Sequence, residues 1–185
     1  MGGNLRPLRG SAGRAGEQLI VKRPRPLYVW IALGVIVLDQ VVKAAVRPRL
    51  NLFDSIDVIP GFFSLTRVHN TGAAFGLLNA LDIPFKSAVM ALVQTTALVG
   101  LAIYAATLAP AQRLTRIGLS FVIGGALGNL IDRVYAGYVL DFFDFYWRGW
   151  HFWAFNIADA SITIGVALMI LDLLGTGHSR VSRTV

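Results

Sequence analysis

Hydrophobic positions divide the chain into four long apolar stretches separated by more polar connections. Each stretch has about 20 residues, the length that an α-helix needs to cross a hydrocarbon core of about 30 Å. The four windows are Leu27–Val46, Ser87–Leu108, Ile117–Tyr135 and Phe152–Leu174. This pattern predicts a membrane all-α protein, a four-transmembrane-helix bundle with little room for a separate soluble domain.

Two connections of this predicted bundle have a character of their own. Ser55–Val68 contains short β-prone runs on either side of the turn dipeptide Pro60-Gly61, which predicts a small β-sheet resting on the membrane. Residues 142–153 are dense in aromatic side chains, which collect where membrane meets water. We expect this aromatic segment to lie in the interface on the outer side, as an aromatic belt or as a lid over a site.

Composition supports a membrane protein, and the charge distribution predicts its orientation. The chain is 55% hydrophobic and only 15% charged, which is too apolar for an ordinary soluble domain. Its net charge of +7 lies beside the apolar windows, so it is better explained by membrane orientation than by nucleic-acid binding. The basic excess sits in residues 1–26, in residues 113–116 and in the tail. This excess predicts that both termini are cytoplasmic.

The windows and the regions on either side of them divide the chain into three predicted parts. Residues 1–26 lack apolar periodicity and read as a flexible basic cytoplasmic arm, because the apolar run that follows is too long for a cleaved signal peptide. Residues 27–175 form the membrane domain, and residues 176–185 form a cytoplasmic tail.

Cysteine is absent, which excludes thiol catalysis, and the three histidines lack ligand spacing. We therefore expect neither a metal nor another cofactor.

In three of the windows, polar side chains gather at the end predicted to face outward. They are Asp39, Lys43, Asn129, Asp132, Arg133, Asn156 and Asp159. Ionisable groups inside a membrane are functional candidates and need partners. The i, i+4 pair Asp39 and Lys43 suits an ion pair that anchors a helix end, and Asp132 with Arg133 suits bracing more than chemistry. The shared depth predicts one polar site inside the bundle.

Asp141 and Asp159 are the candidates for chemistry, because both are flanked almost wholly by apolar residues. Two carboxyl groups that face each other in a poorly hydrated site share one proton, an arrangement that activates water. Asn70 and Gly72 lie in a segment of small residues that suits either a simple turn or a clamp on extended substrate backbone.

The residues alone leave two other classes of function open. In a proton-coupled transporter or channel, Asp141 and Asp159 would relay protons; the cytoplasmic halves of the windows, however, have no matching polar residues to continue a path. In a non-catalytic membrane adaptor, both carboxylates would be dispensable.

Five motifs in order carry a resemblance that covers about residues 27–175. With these motifs the chain resembles the lipoprotein signal peptidases, the type II signal peptidases of bacteria. The motifs are Leu38–Gln40 with Lys43, His69–Phe75, Gly125–Arg133, Val139–Phe142 and Phe155–Asp159. The long basic arm and the order Ala160-Ser161 depart from the pattern, and neither removes a catalytic group.

The resemblance implies an intramembrane aspartyl endopeptidase of the bacterial inner membrane. It implies cleavage of a prolipoprotein just before a cysteine that carries diacylglycerol, at a site toward the outer face. Asp141 and Asp159 correspond to the catalytic dyad. The motif positions implied for substrate contact and for holding the site together are Asp39, Lys43, Asn70, Gly72, Asn129, Asp132, Arg133 and Asn156. The expected partners are the prolipoprotein and membrane lipids, without nucleic acid, and we expect a monomer.

Overall fold

The computed structural model describes residues 26–72 and 85–181, with side chains as far as residue 175. Its four helices are α1 (Pro26–Val46), α2 (Lys86–Thr107), α3 (Arg113–Ala136) and α4 (Ile157–Val181). Each helix contains a stretch long and apolar enough to cross a membrane, which in α4 is Ile157–Gly175. The prediction of a four-helix membrane bundle is therefore confirmed.

Parts of the sequence-based predictions lie outside the described residues. Residues 1–25 of the predicted basic arm, residues 73–75 of one motif and residues 182–185 of the predicted tail belong to this group.

Helix α3 occupies the centre of the bundle and packs against α1, α2 and α4. Close packing depends on glycines at the points where the helix backbones meet. A Cβ atom on Gly124 would lie 2.8 Å from the carbonyl oxygen of Ala32 in α1, and one on Gly118 would lie 2.5 Å from that of Gly165 in α4. Because these backbones nearly touch, the polar ends of three helices are brought together.

The connections between α1 and α2 and between α3 and α4 contain one antiparallel sheet, whose four described strands lie in the order β1-β2-β3-β4. The strands are β1 (Ser55–Ile59), β2 (Phe63–Asn70), β3 (Val139–Trp147) and β4 (Trp150–His151). The predicted strand pair is confirmed as β1 and β2. The aromatic segment, expected only to lie in the interface, contributes most of β3 and all of β4. Its residues do not alternate between apolar and polar, so they gave no strand signal.

Helix α4 begins later than the apolar window suggested, at Ile157 instead of Phe152. The backbone before it is occupied by the sheet: the carbonyl oxygen of Phe155 accepts hydrogen bonds from the N–H groups of Phe142 and Phe143, at 3.0 and 2.8 Å. The N–H group of Phe152 likewise donates to the carbonyl of Phe145, at 2.7 Å. These bonds hold the segment extended, so the earlier start predicted from the sequence is wrong.

A small apolar cluster attaches the sheet to the bundle. Val46 at the end of α1 and Leu50 just after it pack with Leu140 and Phe142 of β3, both of which are fully buried. Adjacent side chains of a strand point to opposite faces. Asp141, between those two, therefore points away from the cluster and toward the helix ends.

We expect Gly118→Ala to lower the free energy of unfolding by about 1–3 kcal/mol, because the added methyl group would collide with backbone of α4. Thermal unfolding in detergent micelles measures this loss. Gly100→Ala in α2 is the control, since its Cβ meets no described heavy atom within 4 Å. Equal melting temperatures for the two variants would contradict the close approach of α3 and α4.

Candidate active site

The first turn of α4 is fixed by a reciprocal pair of hydrogen bonds between Asn156 and Asp159. The side-chain Oδ1 of Asn156, just before the helix, accepts the N–H of Asp159 at 2.9 Å. Oδ2 of Asp159 accepts the N–H of Asn156 at 3.2 Å. This is a capping box with aspartate in the place of the usual glutamate. The carboxylate of Asp159 is therefore held at the positive end of the helix dipole.

Asn156 also joins Asp159 to the second carboxylate. Its side chain is fully buried, and its Nδ2 donates to Oδ1 of Asp141 at 2.7 Å. Nδ2 also lies 3.1 Å from Oδ1 of Asn129 and 3.3 Å from the carbonyl oxygen of Leu140. One amide thus bonds to Asp159 through its oxygen and to Asp141 through its nitrogen, which couples the positions of the two aspartates.

Asp141 lies on β3, outside the membrane helices, and is only 2% exposed. Its second oxygen, Oδ2, accepts a hydrogen bond from Nδ2 of Asn70 on the neighbouring strand β2, at 3.0 Å. Oδ1 of Asn70 in turn accepts the N–H of Gly72 at 3.1 Å. That bond fixes which end of the Asn70 amide faces Asp141, because a backbone N–H can only donate.

Burial and then the negative charge of Asp159 raise the pKa of Asp141 to about 7, against the opposing hydrogen bonds from Asn70 and Asn156. Two nearby carboxylates away from water resist double ionisation. Asp141 therefore keeps its proton to a higher pH than a free aspartate does.

Asp159 is connected to α3 and α1 through Asn129. Nδ2 of Asn129 donates to Oδ1 of Asp159 at 2.7 Å, and Oδ1 of Asn129 accepts a hydrogen bond from Nζ of Lys43 at 3.0 Å. Since an ammonium can only donate, Lys43 dictates that the Asn129 amide turns its nitrogen toward Asp159.

Lys43 is fully buried, and each of its three N–H donors has an acceptor. Besides Asn129, its Nζ lies 2.7 Å from Oδ2 of Asp39 and 2.9 Å from Oδ2 of Asp132. Arg47 adds a second cation, with Nη2 3.0 Å from Oδ1 of Asp132. Two acids and two bases thus balance in a buried cluster behind the aspartate pair. Such a cluster is tolerated because every charge is paired and hydrogen-bonded.

The two acids of this cluster also bond to the elements that carry the aspartate pair. Oδ1 of Asp39 accepts the N–H of Ala158 in the first turn of α4, at 3.0 Å. Oδ2 of Asp132 accepts the N–H of Leu140 on β3, at 3.2 Å. Each bond is made next to an aspartate of the pair in sequence, so the charge cluster sets the position of both.

Arg133 lies apart from this cluster, although the sequence grouped it with Asp132. Its Nη2 donates to the carbonyl oxygen of Gly72 at 2.9 Å, and its Nη1 donates to Oε1 of Gln94 in α2 at 2.9 Å. Arg133 therefore stabilises the turn after β2 that also orients Asn70.

All the site residues predicted from the sequence belong to one network of hydrogen bonds and ion pairs. Arg47 and Gln94 also belong to this network, although neither was predicted as a site residue. Arg47 follows Lys43 by four residues, a spacing that places both on one helix face. Gln94 is a lone amide within an apolar window, where an unpaired polar group would be costly. Both signals are legible in the sequence.

The arrangement suits general acid–base chemistry on a bound water. A carboxylate can accept a proton from water while a protonated partner donates a hydrogen bond to an electrophile. Among the described residues, no group of three or more histidine, cysteine, aspartate or glutamate side chains could hold a metal ion. The chemistry available to these side chains is proton transfer between the two carboxyl groups and a substrate.

Comparison with known proteins gives a consistent set of relatives. The model of the signal peptidase (SPase) II family matches residues 31–175. The lipoprotein signal peptidase of Symbiobacterium thermophilum is 45% identical over 80% of this chain and 94% of its own length. That of Pseudomonas aeruginosa is 40% identical over 82% of this chain and 90% of its own length. A solved structure of a bacterial membrane enzyme superposes with a TM-score of 0.71 at 36% identity, covering 81% of this chain and 88% of that one.

We expect Lys43→Met to lower the free energy of unfolding by about 3–5 kcal/mol, because it leaves Asp39 and Asp132 buried with a deficit of positive charge. Arg47→Met is the comparison: its side chain is 29% exposed and pairs with Asp132 alone, so its loss should cost less than the loss of Lys43, which pairs with both acids. Unfolding in detergent micelles measures both changes. Similar losses for the two variants would contradict a central role for Lys43 in the charge cluster.

Proposed function

The chain belongs to the signal peptidase II family, and on that premise we propose that Asp141 and Asp159 form its catalytic dyad. The protein is an aspartic endopeptidase that removes signal peptides from prolipoproteins, and it is a multi-pass protein of the inner membrane. One observation carries the assignment of the dyad: a single buried residue, Asn156, bonds to both carboxyl groups, to that of Asp141 through its side-chain Nδ2 and to that of Asp159 through its backbone N–H.

In the proposed reaction the dyad starts with one proton. The ionised carboxylate takes a proton from a water molecule while the protonated carboxyl donates a hydrogen bond to the scissile carbonyl oxygen. The water oxygen attacks the carbonyl carbon and forms a tetrahedral intermediate. Transfer of a proton to the departing amide nitrogen allows the C–N bond to break, which leaves a carboxylic acid and an amine. Low dielectric around the buried dyad strengthens each of these interactions.

The residues around the dyad have separate positioning roles in this proposal. Asn129 and Asn156 orient the carboxyl groups, while the charge cluster of Asp39, Lys43, Arg47 and Asp132 fixes the elements that carry them. Asn70, Gly72 and Arg133 border the turn beside Asp141, where we place the extended backbone of the substrate. A peptide held there would present its scissile bond to the dyad without further movement of β3.

We also propose the orientation of the protein and its lipid contacts. The site lies at the end of α3 that carries Asn129, while Arg113 lies at the other end. If the site faces outward, α3 starts on the cytoplasmic side. Because the four helices alternate in direction, both termini then lie in the cytoplasm. Residues 27–175 form the peptidase domain, which carries the whole site and is proposed to act as a monomer. Trp147 and Trp150 are 61% and 63% exposed where β3 pairs with β4; we place them among the headgroups, while the diacylglyceryl chains of the substrate stay in the bilayer.

Asp141→Asn and Asp159→Asn should each lower the rate of cleavage by about 10²–10⁴-fold, because an amide can neither accept the proton of water nor take part in its transfer. Gel-resolved cleavage of a diacylglyceryl-modified prolipoprotein by purified protein measures this loss.

Asp144→Asn is the matched control, because Asp144 lies on the same strand and bonds to Ser64 and His151 instead of to the dyad. It should cleave at nearly the parent rate. Full cleavage by a folded variant of Asp141 or Asp159 would remove that residue from the dyad, and a folded parent without activity would contradict the reaction.

Activity should fall as the pH rises above about 7, because the folded-state pKa of Asp141 is raised to about 7. The direction of this change follows from the protonation of the dyad. Below pH 7 the dyad keeps its one proton, whereas above pH 7 that proton is lost and both carboxyl groups are charged. Asn70→Ala removes a hydrogen bond that favours the charged form, so the decline should move to higher pH. Rate profiles from pH 5 to 10 test this, and a shift to lower pH would contradict the role given to Asn70.

A further inference from the structure

Gln94 is a polar residue in the membrane-spanning part of α2 that the reaction above does not use. None of the 22 residues of α2, all of which the structure describes, is buried. Most of them present apolar side chains outward, as a helix in contact with lipid does. A glutamine amide in such a helix is costly unless both of its ends are hydrogen-bonded.

Both ends of the Gln94 amide are bonded to α3. Nε2 donates to the carbonyl oxygen of Ala126 at 2.6 Å, and Oε1 accepts a hydrogen bond from Nη1 of Arg133 at 2.9 Å. A carbonyl can only accept and a guanidinium can only donate, so the orientation of the amide is determined. The first bond attaches α2 to the α3 backbone, and the second acts on a side chain that reaches the site.

From Arg133 a continuous chain of hydrogen bonds leads to Asp141. Nη2 of Arg133 donates to the carbonyl oxygen of Gly72 at 2.9 Å. The N–H of Gly72 donates in turn to Oδ1 of Asn70 at 3.1 Å. Nδ2 of Asn70 then donates to Oδ2 of Asp141 at 3.0 Å. The buried Nε of Arg133 has no hydrogen-bond partner among the described residues. The two terminal nitrogens therefore hold the guanidinium in place.

We propose that Gln94 is a positioning residue for the peptidase reaction, which it serves by holding Arg133 in the orientation that fixes Gly72, Asn70 and Asp141. Without the Gln94 acceptor, the guanidinium is free to turn about its remaining bond to Gly72, and the turn after β2 loses its fixed position. Asn70 then no longer holds Asp141 in one orientation. The inference rests on the proposed function, because it acts through Asp141 as a member of the dyad.

Two substitutions at Gln94 separate its two hydrogen bonds. Gln94→Met keeps an unbranched side chain of similar length and removes both bonds. Gln94→Glu keeps an acceptor for Arg133, but an ionised carboxylate cannot donate to the carbonyl of Ala126. Thr95→Val is the matched control, because among the described residues the Thr95 hydroxyl bonds only to the Ala91 carbonyl within its own helix, at 2.7 Å.

We expect Gln94→Met to lower kcat about 10-fold, as for loss of an interaction that matters in the transition state. KM for the lipidated prolipoprotein should rise less, by about threefold, because the same turn borders the substrate backbone. Gln94→Glu should keep kcat within about threefold of the parent, and Thr95→Val should be unchanged. Equal losses for the Met and Glu variants would assign the effect to helix packing and overturn the inference. So would a folded Met variant with the parent kcat.

A double substitution provides a second measurement. If Gln94 acts through Asn70, then Gln94→Met should add little to the loss caused by Asn70→Ala, whereas independent effects would multiply and contradict the chain. If the Met variant does not fold, Gln94→Leu replaces it in both tests, and a failure of Gln94→Glu to keep activity still overturns the inference.

The Asp141→Asn and Asp159→Asn variants belong in the same assay. Cleavage by these two would overturn the proposed dyad itself. Their inactivity beside an unimpaired Gln94→Met variant would overturn only the role of Gln94.

Discussion

The half of the protein that carries the polar site depends on the complete pairing of one buried ammonium group. A lysine without water must place each of its three donors on an acceptor, and Lys43 does so with Asp39, Asn129 and Asp132. Each of these acceptors in turn bonds to α4 or β3. The requirement to satisfy one charge therefore sets the relative position of α1, α3, α4 and the sheet.

The proposed dyad is assembled from two kinds of secondary structure, each with its own constraint. Asp159 belongs to a capping box, so the bonds that begin a helix also limit the rotation of its carboxylate. Asp141 is held by strand pairing, with its neighbours Leu140 and Phe142 buried in the apolar cluster. Asn156 joins the two constraints in a single side chain. Neither carboxylate relies on a flexible loop for its position, which favours a site that is organised before substrate binds.

Much of this arrangement is legible in the sequence, because bilayer thickness and the cost of buried charge are strong constraints. They predicted the four helices and the common depth of Asp39, Lys43, Asn129, Asp132, Asn156 and Asp159. The start of α4 was misplaced because Phe152–Phe155 is as apolar as a helix, and only its pairing with β3 keeps it extended. The role of Gln94 depends on which α3 residues face it, and a helical pattern within α2 carries no such information.

The i, i+4 pairing of Asp39 with Lys43, at 2.7 Å, also bears on how the protein is made. The α3 partner Asn129 lies 86 positions after Lys43, so α1 is synthesised and enters the membrane before α3 exists. During that interval Lys43 has its counter-ion on its own helix, which makes the pair nearly neutral to the insertion machinery. A helix whose function requires a buried cation can thus be inserted first, and α3 later replaces transient hydration with Asn129 and Asp132.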